Sequence, residues 1–371
     1  MKVLVAHADM RANGGAESYA RAVGDRLLAA GHQVGFLDIT GHRPPDSAAV
    51  DPALFQIGRI AGLKQLTLWK YALVCRVLPK IAKSYDRAVL SFGEGPSLSC
   101  PSLQIRHAPA VFSGHPDLLA VLGVKKSTLA LRQVYAWVCR LIAGIDSKPA
   151  SGVRTITNTR WTANAALIRG IITDSMVLYP KVTLPDITKP QVKREPYHMV
   201  SIGRIVPNKK LEEAVEVLDR LRAWGFPATL QIVGRADSAY AKQFLRRYRG
   251  HPGLTLNPNA DMDTLHQALM RARVGIHLYR SEHFGIAVAE MICAGVLPLV
   301  HDSGGVCELV QDHDLRFQAI DDLTVKAADL MQMSQADCDR RAVGLQCSTA
   351  LQQALDFDAR LDRIIAQEFV I

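Results

Sequence analysis

Acidic residues are scarce in the first half of this 371-residue chain. No Asp or Glu stands between Asp51 and Asp86, and none between Leu118 and Ile145. Basic residues continue through both windows: Arg59, Lys64, Lys70, Arg76, Lys80 and Lys83 in the first, and Lys125, Lys126, Arg132 and Arg140 in the second. Residues 1–190 hold 23 Lys and Arg against 12 Asp and Glu, whereas residues 191–371 hold 21 against 23. The net charge of +9 therefore belongs to the first half, which points that half towards an anionic partner. A surface helix that snorkels its bases would explain such windows. The alternative is a face that meets an anionic membrane surface.

Other absences exclude whole classes. Seven cysteines occur, none in a CxxC, which speaks against a zinc site or a disulfide framework. They read as reduced core thiols of a cytosolic protein. No apolar run reaches the ~18 residues of a membrane span. The opening MKVLVAHADM is too short in apolar residues for a signal peptide and reads as a first strand. GxGxxG is missing, so the dinucleotide fingerprint is absent. No DxD that would support a metal is read.

What the chain does hold is 49% hydrophobic residues, enough for two domains with their own cores. KVLVA (2–6), HQVGFLDI (32–39), RAVLSF (87–92), SLQIRHAPAVF (102–112) and MVLYP (176–180) read as strands, with a long helix over 57–85. Prolines 180, 185, 190 and 196 read as a linker. Beyond it, YHMVSIGR (197–204), ATLQIVGR (228–235), LTLNPNA (254–260), VGIHLY (274–279) and LPLV (297–300) alternate with helical stretches. Such alternation predicts parallel sheets covered by helices on both faces. Ligands in these sheets sit at the carboxyl ends of the strands. Arg204, Gly234 and Glu282 all fall at such ends.

One stretch organises the second half: SEHFGIAVAEMICAGVLPLVHDSGGVCE (281–308). Glu282 stands in a loop, and Glu290 eight positions on lies about two turns into a helix. Two glutamates at that spacing are ordinarily a solvated helix face. Here the surroundings are apolar and glycine, so the helix is buried and its carboxylate needs partners. A carboxylate there suits a vicinal diol, and the helix start suits a phosphate or a polar sugar edge.

This stretch resembles retaining glycosyltransferase family 4, of GT-B fold. The resemblance rests on E-x7-E enclosing FGI, then AG-x-x-P and D-S-G-G-x-x-E. EHFGI is similar to the GDP-mannose-dependent mannosyltransferases of lipid-linked oligosaccharide assembly. GRIVPNK (203–209) matches the family's G-R-x-x-P-x-K, and TITNTRWTANAALI (155–168) resembles its N-S-x-W-T segment. The resemblance implies two doubly wound, Rossmann-like α/β domains facing across a cleft. The first, residues 1–190, binds the acceptor, and the second, residues 191–355, binds the nucleotide sugar. The last helix, residues 356–371, crosses back to the first domain.

The resemblance also assigns roles. Arg204 and Lys209 hold the donor diphosphate, with Lys210 as the rival lysine. Glu290 holds the ribose. Glu282 and the Phe284–Gly285–Ile286 backbone hold the sugar. In NGGAE (13–17), Gly15 allows approach of the donor phosphates and Gly14 that of the acceptor. His107 stands beside the sugar, and Glu94 is an acceptor-side candidate. The expected reaction is retaining hexosyl transfer, from GDP-mannose to a lipid-linked or glycan acceptor, with no metal and no other cofactor. The expected setting is the inner face of a membrane, with an anionic membrane surface and no nucleic acid as partner. Two rivals stand beside it: a UDP-hexose-dependent enzyme of polysaccharide synthesis, and a non-catalytic sugar-nucleotide binding module.

Overall fold

The computed structural model describes residues 1–10, 14–39, 41–43, 67–109, 129–145, 153–182 and 194–369. The chain divides into two compact units, Met1–Lys181 with Asp356–Ile371, and Val182–Leu355.

In the first unit the elements are β1 (Lys2–Ala6), α1 (Gly15–Ala29), β2 (Gln33–Asp38), β3 (Gly41–Arg43), α2 (Thr67–Ala82), β4 (Arg87–Leu90), β5 (Ser102–Arg106), α3 (Leu129–Ala143), β6 (Val153–Thr157), α4 (Arg160–Leu167) and β7 (Met176–Val177). The sheet order is β3-β2-β1-β4-β5-β6-β7, parallel except for the antiparallel edge strand β3. The sheet is apolar on both sides because both sides are covered. Leu4 and Ala6 of β1 enter the core under α2 and α3, while Val3 and Val5 enter the core under α1. That alternation follows from the two-residue period of a strand. The strand expected over 102–112 stops at Arg106, and residues 110–112 lie outside the described ones. The helix expected over 57–85 is described as Thr67–Ala82, and its first ten expected positions also lie outside.

The second unit runs β8 (Glu195–Ile202), α5 (Leu211–Ala223), β9 (Thr229–Gly234), α6 (Ala239–Arg247), β10 (Leu254–Pro258), α7 (Met262–Arg271), β11 (Ala272–His277), α8 (Ile286–Cys293), β12 (Leu297–His301), β13 (Arg316–Phe317), α9 (Ile320–Gln332), α10 (Gln335–Gln346) and α11 (Thr349–Leu355). Its sheet order is β10-β9-β8-β11-β12-β13, all parallel. The order reverses between β8 and β11, and that switch point is where an open α/β sheet leaves its ligand crevice.

The last helix, α12 (Phe357–Glu368), belongs to the first unit. It sets Phe357, Leu361, Ile364 and Ile365 into the α1 side of the core. Arg26 of α1 holds the Asp362 carboxylate through Nε at 2.7 Å and through Nη2.

All seven cysteines are free thiols, and Cys75, Cys139 and Cys338 are buried. No helix among the described residues is long and apolar enough to cross a membrane.

Candidate active site

The second unit assembles its charged side chains at the switch point. β8 ends at Ile202, and the chain passes through Gly203 into Arg204, which is exposed. A short 3-10 turn, Pro207–Lys209, then precedes α5. β11 ends at His277, followed by the loop that carries Glu282. Strand order therefore brings segments that are distant in sequence to one place.

Glu282 is the centre of the cluster. Lys209 Nζ donates to Glu282 Oε2 at 2.9 Å. His277 Nε2 lies 3.2 Å from the same oxygen. The backbone N–H of His283 donates to Oε1 at 3.1 Å. Burial alone would raise the Glu282 pKa. The contact with His277 and the Lys209 ammonium outweigh burial and hold the carboxyl well below the usual range. His277 is fully buried, and burial together with Lys209 lowers its pKa. Lys209 Nζ also sits 4.9 Å over the Tyr279 ring. A cavity of about 10 Å³, roughly one water, is lined by Arg204, Lys209, His277 and their strand neighbours.

Lys210 points elsewhere, donating to Glu213 Oε1 of its own helix at 2.6 Å. It occupies the left-handed region with φ 50°, which turns it away from its neighbour. Of the two lysines, only Lys209 reaches Glu282.

The loop of Glu282 is braced by the D-S-G-G segment. Ser281 N–H donates to Ser303 Oγ at 2.8 Å, and Glu282 pairs as a bridge with Gly304. A Cβ on Gly304 would stand 2.4 Å from the Glu282 carbonyl oxygen, so only glycine fits there. Phe284 is buried, and Gly285 caps α8 in the left-handed region with φ 90°. Ile286 opens the helix, leaving first-turn N–H groups without helical partners.

Glu290 lies half-buried in α8. Among the described residues nothing hydrogen-bonds its carboxylate, and burial alone raises its pKa to about 7. On an apolar helix, a buried carboxylate calls for a partner, and the described residues supply none.

Gly234 has a packing reason to be glycine. A Cβ there would stand 1.6 Å from the Gly203 carbonyl oxygen, so the ends of β8 and β9 touch backbone to backbone.

The first unit has its own polar cluster at its switch point, between β1 and β4. His7 Nδ1 donates to the Ser91 carbonyl at 2.8 Å, and His7 Nε2 lies 3.5 Å from Glu17 Oε1. Gly14 is the N-cap of α1 and Gly15 its first residue. Glu17 folds back onto the Gly14 N–H, half of a capping box, and a Cβ on Gly14 would collide with its carboxylate at 2.5 Å. His107 follows β5, with Nε2 3.3 Å from Ser91 Oγ and its ring edge-on to Tyr19.

Glu94 is only 4% exposed and lies between two guanidiniums, Arg106 at 3.7 Å and Arg140 at 3.4 Å. Its carboxylate is engaged inside the unit by both cations, which gives the acceptor-side candidate a structural role as well. Replacing Glu94 with Ala leaves two cations without their shared partner. The expected cost is about 3–5 kcal/mol of stability, read by urea unfolding. A cost below about 1 kcal/mol would show the pairs to be solvent-screened.

Sequence reasoning missed His277, His7 and Glu17. Each carried a signal. His277 is a lone polar residue in the apolar run VGIHLY, and Glu17 stands three residues after its glycine N-cap. Four Asp-X-Asp strings also occur. Asp261 and Asp312 cap helix starts, Asp337 binds Ser334 and Arg340, and Asp356 and Asp358 pair with Arg363 and Lys181. Among the described residues no three His, Cys, Asp or Glu side chains cluster as a metal site.

Solved structures share this architecture. Sucrose-phosphate synthase from Thermosynechococcus elongatus superposes with a TM-score of 0.65 at 16% identity, over 99% of this chain and 98% of that one. WaaG, a glycosyltransferase involved in lipopolysaccharide biosynthesis, gives 0.64 at 14% identity over 98% and 99%. The fold is GT-B. Within this GT-B chain, residues 185–335 match the family model Glycosyl transferases group 1. A mouse GDP-Man:Man(3)GlcNAc(2)-PP-Dol alpha-1,2-mannosyltransferase is 27% identical over 266 residues, covering 67% of this chain and 51% of that protein. The human enzyme of the same name is 28% identical over 193 residues, covering 47% and 39%. The chain thus spans about half the length of these curated relatives, or less.

Proposed function

We propose that this GT-B chain is a retaining glycosyltransferase of family 4, moving mannose from GDP-mannose to a lipid-linked or glycan acceptor. The observation that carries the reading is the pairing of two opposite environments on one loop and helix. Glu282 is held ionised beside His277 and Lys209, and among the described residues nothing hydrogen-bonds Glu290. A nucleotide sugar supplies what both lack: hydroxyls for Glu290 and a diphosphate for the cations. The segment match to group 1 glycosyl transferases supports the reaction class, and the relatives' names support the sugar.

In the proposed reaction the bond between the anomeric carbon and the diphosphate oxygen breaks, and its electrons leave with the phosphate. Arg204 and Lys209 stabilise that developing charge. The acceptor hydroxyl bonds to the anomeric carbon on the same face, and its proton passes to the departing phosphate. Glu282 orients the sugar. In the first unit Gly14 admits the acceptor, while Gly15 and His107 keep the donor-phosphate and sugar roles that the resemblance implies.

The test is a thermal-shift screen followed by donor turnover. GDP is expected to raise the melting temperature and UDP to leave it nearly unchanged. GDP-mannose hydrolysis is expected to survive EDTA, because fixed cations do the work a metal does elsewhere. A UDP-selective shift would move the donor to a UDP-hexose. Loss of activity in EDTA restored by Mg²⁺ or Mn²⁺ would refute the cation assignment, and binding without turnover would leave only a binding module.

A further inference from the structure

Helix α3 presents its apolar residues to the outside. Leu131 is 75% exposed, Trp137 61%, Leu141 60%, Val134 58% and Val138 37%. These positions recur at helical spacing and form one stripe. The opposite face, Ala136, Cys139 and Ala143, packs into the core with α2. A surface helix ordinarily shows polar residues outside and apolar residues inside. Here both faces are apolar, and the outer one carries the larger side chains. A contiguous outward stripe of this size marks an interaction surface.

Charge identifies what covers it. Neither α2 nor α3 contains an acid. α2, against which α3 packs, exposes Arg76 and Lys80, and the turn after it exposes Lys83, spaced four and three apart along that stretch. An outward apolar stripe with an exposed tryptophan, next to acid-free basic helices, has the composition of a segment lying in a lipid interface. α3 has 15 residues, short of the roughly 20 that span a bilayer. We infer that α3 seats the first unit on an anionic lipid surface, with Trp137 and Leu141 inserted among the acyl chains and the bases of α2 against the headgroups.

This goes beyond attraction by charge. Lys70, one of the bases in the first acid-free window, is engaged by Asp9 at 2.9 Å, and Arg140 by Glu94. They are therefore poor lipid contacts. The inference does not rest on the proposed reaction, since the stripe shares no residue with the second unit's charge cluster.

The full chain is incubated with phosphatidylcholine vesicles, with and without phosphatidylglycerol, and sedimented at low and high salt. Binding to the anionic vesicles is expected, weakened by salt but not abolished, because insertion is not screened. Trp137→Ser with Leu141→Ser is expected to cut partitioning roughly tenfold or more, with unchanged melting temperature and unchanged nucleotide binding. Arg76→Glu with Lys80→Glu is expected to lower binding to anionic vesicles only. On the intact fold, brominated lipids are expected to quench wild-type fluorescence more than that of Trp137→Phe, which covers the case of a double variant that fails to fold. Absence of binding to the anionic vesicles overturns the proposal. So does equal binding, or equal quenching, by the variants. A change from dimer to monomer in Trp137→Ser/Leu141→Ser with vesicle binding intact would make the stripe a contact between copies, and overturns it too.

Discussion

Lys209→Ala is expected to lower kcat/KM for GDP-mannose by roughly 10²–10³, the size of losing one fixed stabiliser of developing charge. Arg204→Ala is expected to do the same. The two differ in what else they disturb. Arg204 is exposed, so its loss should leave stability nearly unchanged. Lys209 pairs with Glu282, whose side chain is only 14% exposed. Its removal leaves the carboxylate with the His283 N–H and the nearby His277 but without its ammonium, at a cost of about 3 kcal/mol or more. Lys210→Ala should be close to silent, since it releases only an i,i+3 pair worth a few tenths of a kcal/mol. Steady-state kinetics and urea unfolding on the three variants decide the matter. A silent Lys209→Ala beside a damaging Lys210→Ala would reverse the assignment.

The same cluster sets an acid limit. Glu282 has its pKa depressed by His277 and Lys209, against the effect of burial. The folded state therefore binds its proton more weakly than the unfolded chain does. The resulting stability is present above the ordinary glutamate pKa and is lost as pH falls below it.

Much of this architecture was legible because burial on two faces leaves a plain mark. KVLVA and LPLV are continuous apolar runs, and both became central strands. β3 and β13, three and two residues long at the sheet edges, carry too few positions for any period to show. The loop, helix and following strand around Glu282 and Glu290 were readable from their motif. The ion pair that centres the site was not. Lys209 meets Glu282 because β8 and β11 are neighbours, and sheet order is a tertiary fact that no local spacing carries. The ion pairs of Glu94 were hidden for the same reason. From sequence it is a glutamate between glycines, and only the fold reveals the two arginines around it. Gly234 is a milder case, a glycine at a strand end whose reason lies in the neighbouring strand's carbonyl.

Glu290→Gln is expected to separate stability from binding in opposite directions. Burial raises the carboxyl pKa to about 7, and among the described residues no partner holds the charge. The folded state thus prefers the protonated form. Relative to an ordinary glutamate, stability is fully present below about pH 4.5 and declines as pH rises through about 7. A shift of that size corresponds to about 3 kcal/mol of strain at alkaline pH. Glutamine carries no charge to bury, so the variant should be more stable than wild type at pH 8 and nearly equal at pH 5. Nucleotide binding should move the other way. If Glu290 takes the ribose diol, each hydrogen bond to the charged carboxylate is worth about 1.5–3 kcal/mol, and its loss should weaken GDP roughly 10–100-fold. Binding should also tighten as pH rises towards 7 in the wild type, because the diol needs the ionised carboxylate, with the proton released on binding. The difference between wild type and Glu290→Gln cancels the titration of the ligand's own phosphate. Calorimetry in buffers of different ionisation enthalpy reads the released proton directly. Equal affinity and equal proton release in both proteins would remove Glu290 from the ribose site, even if the stability difference appears as expected.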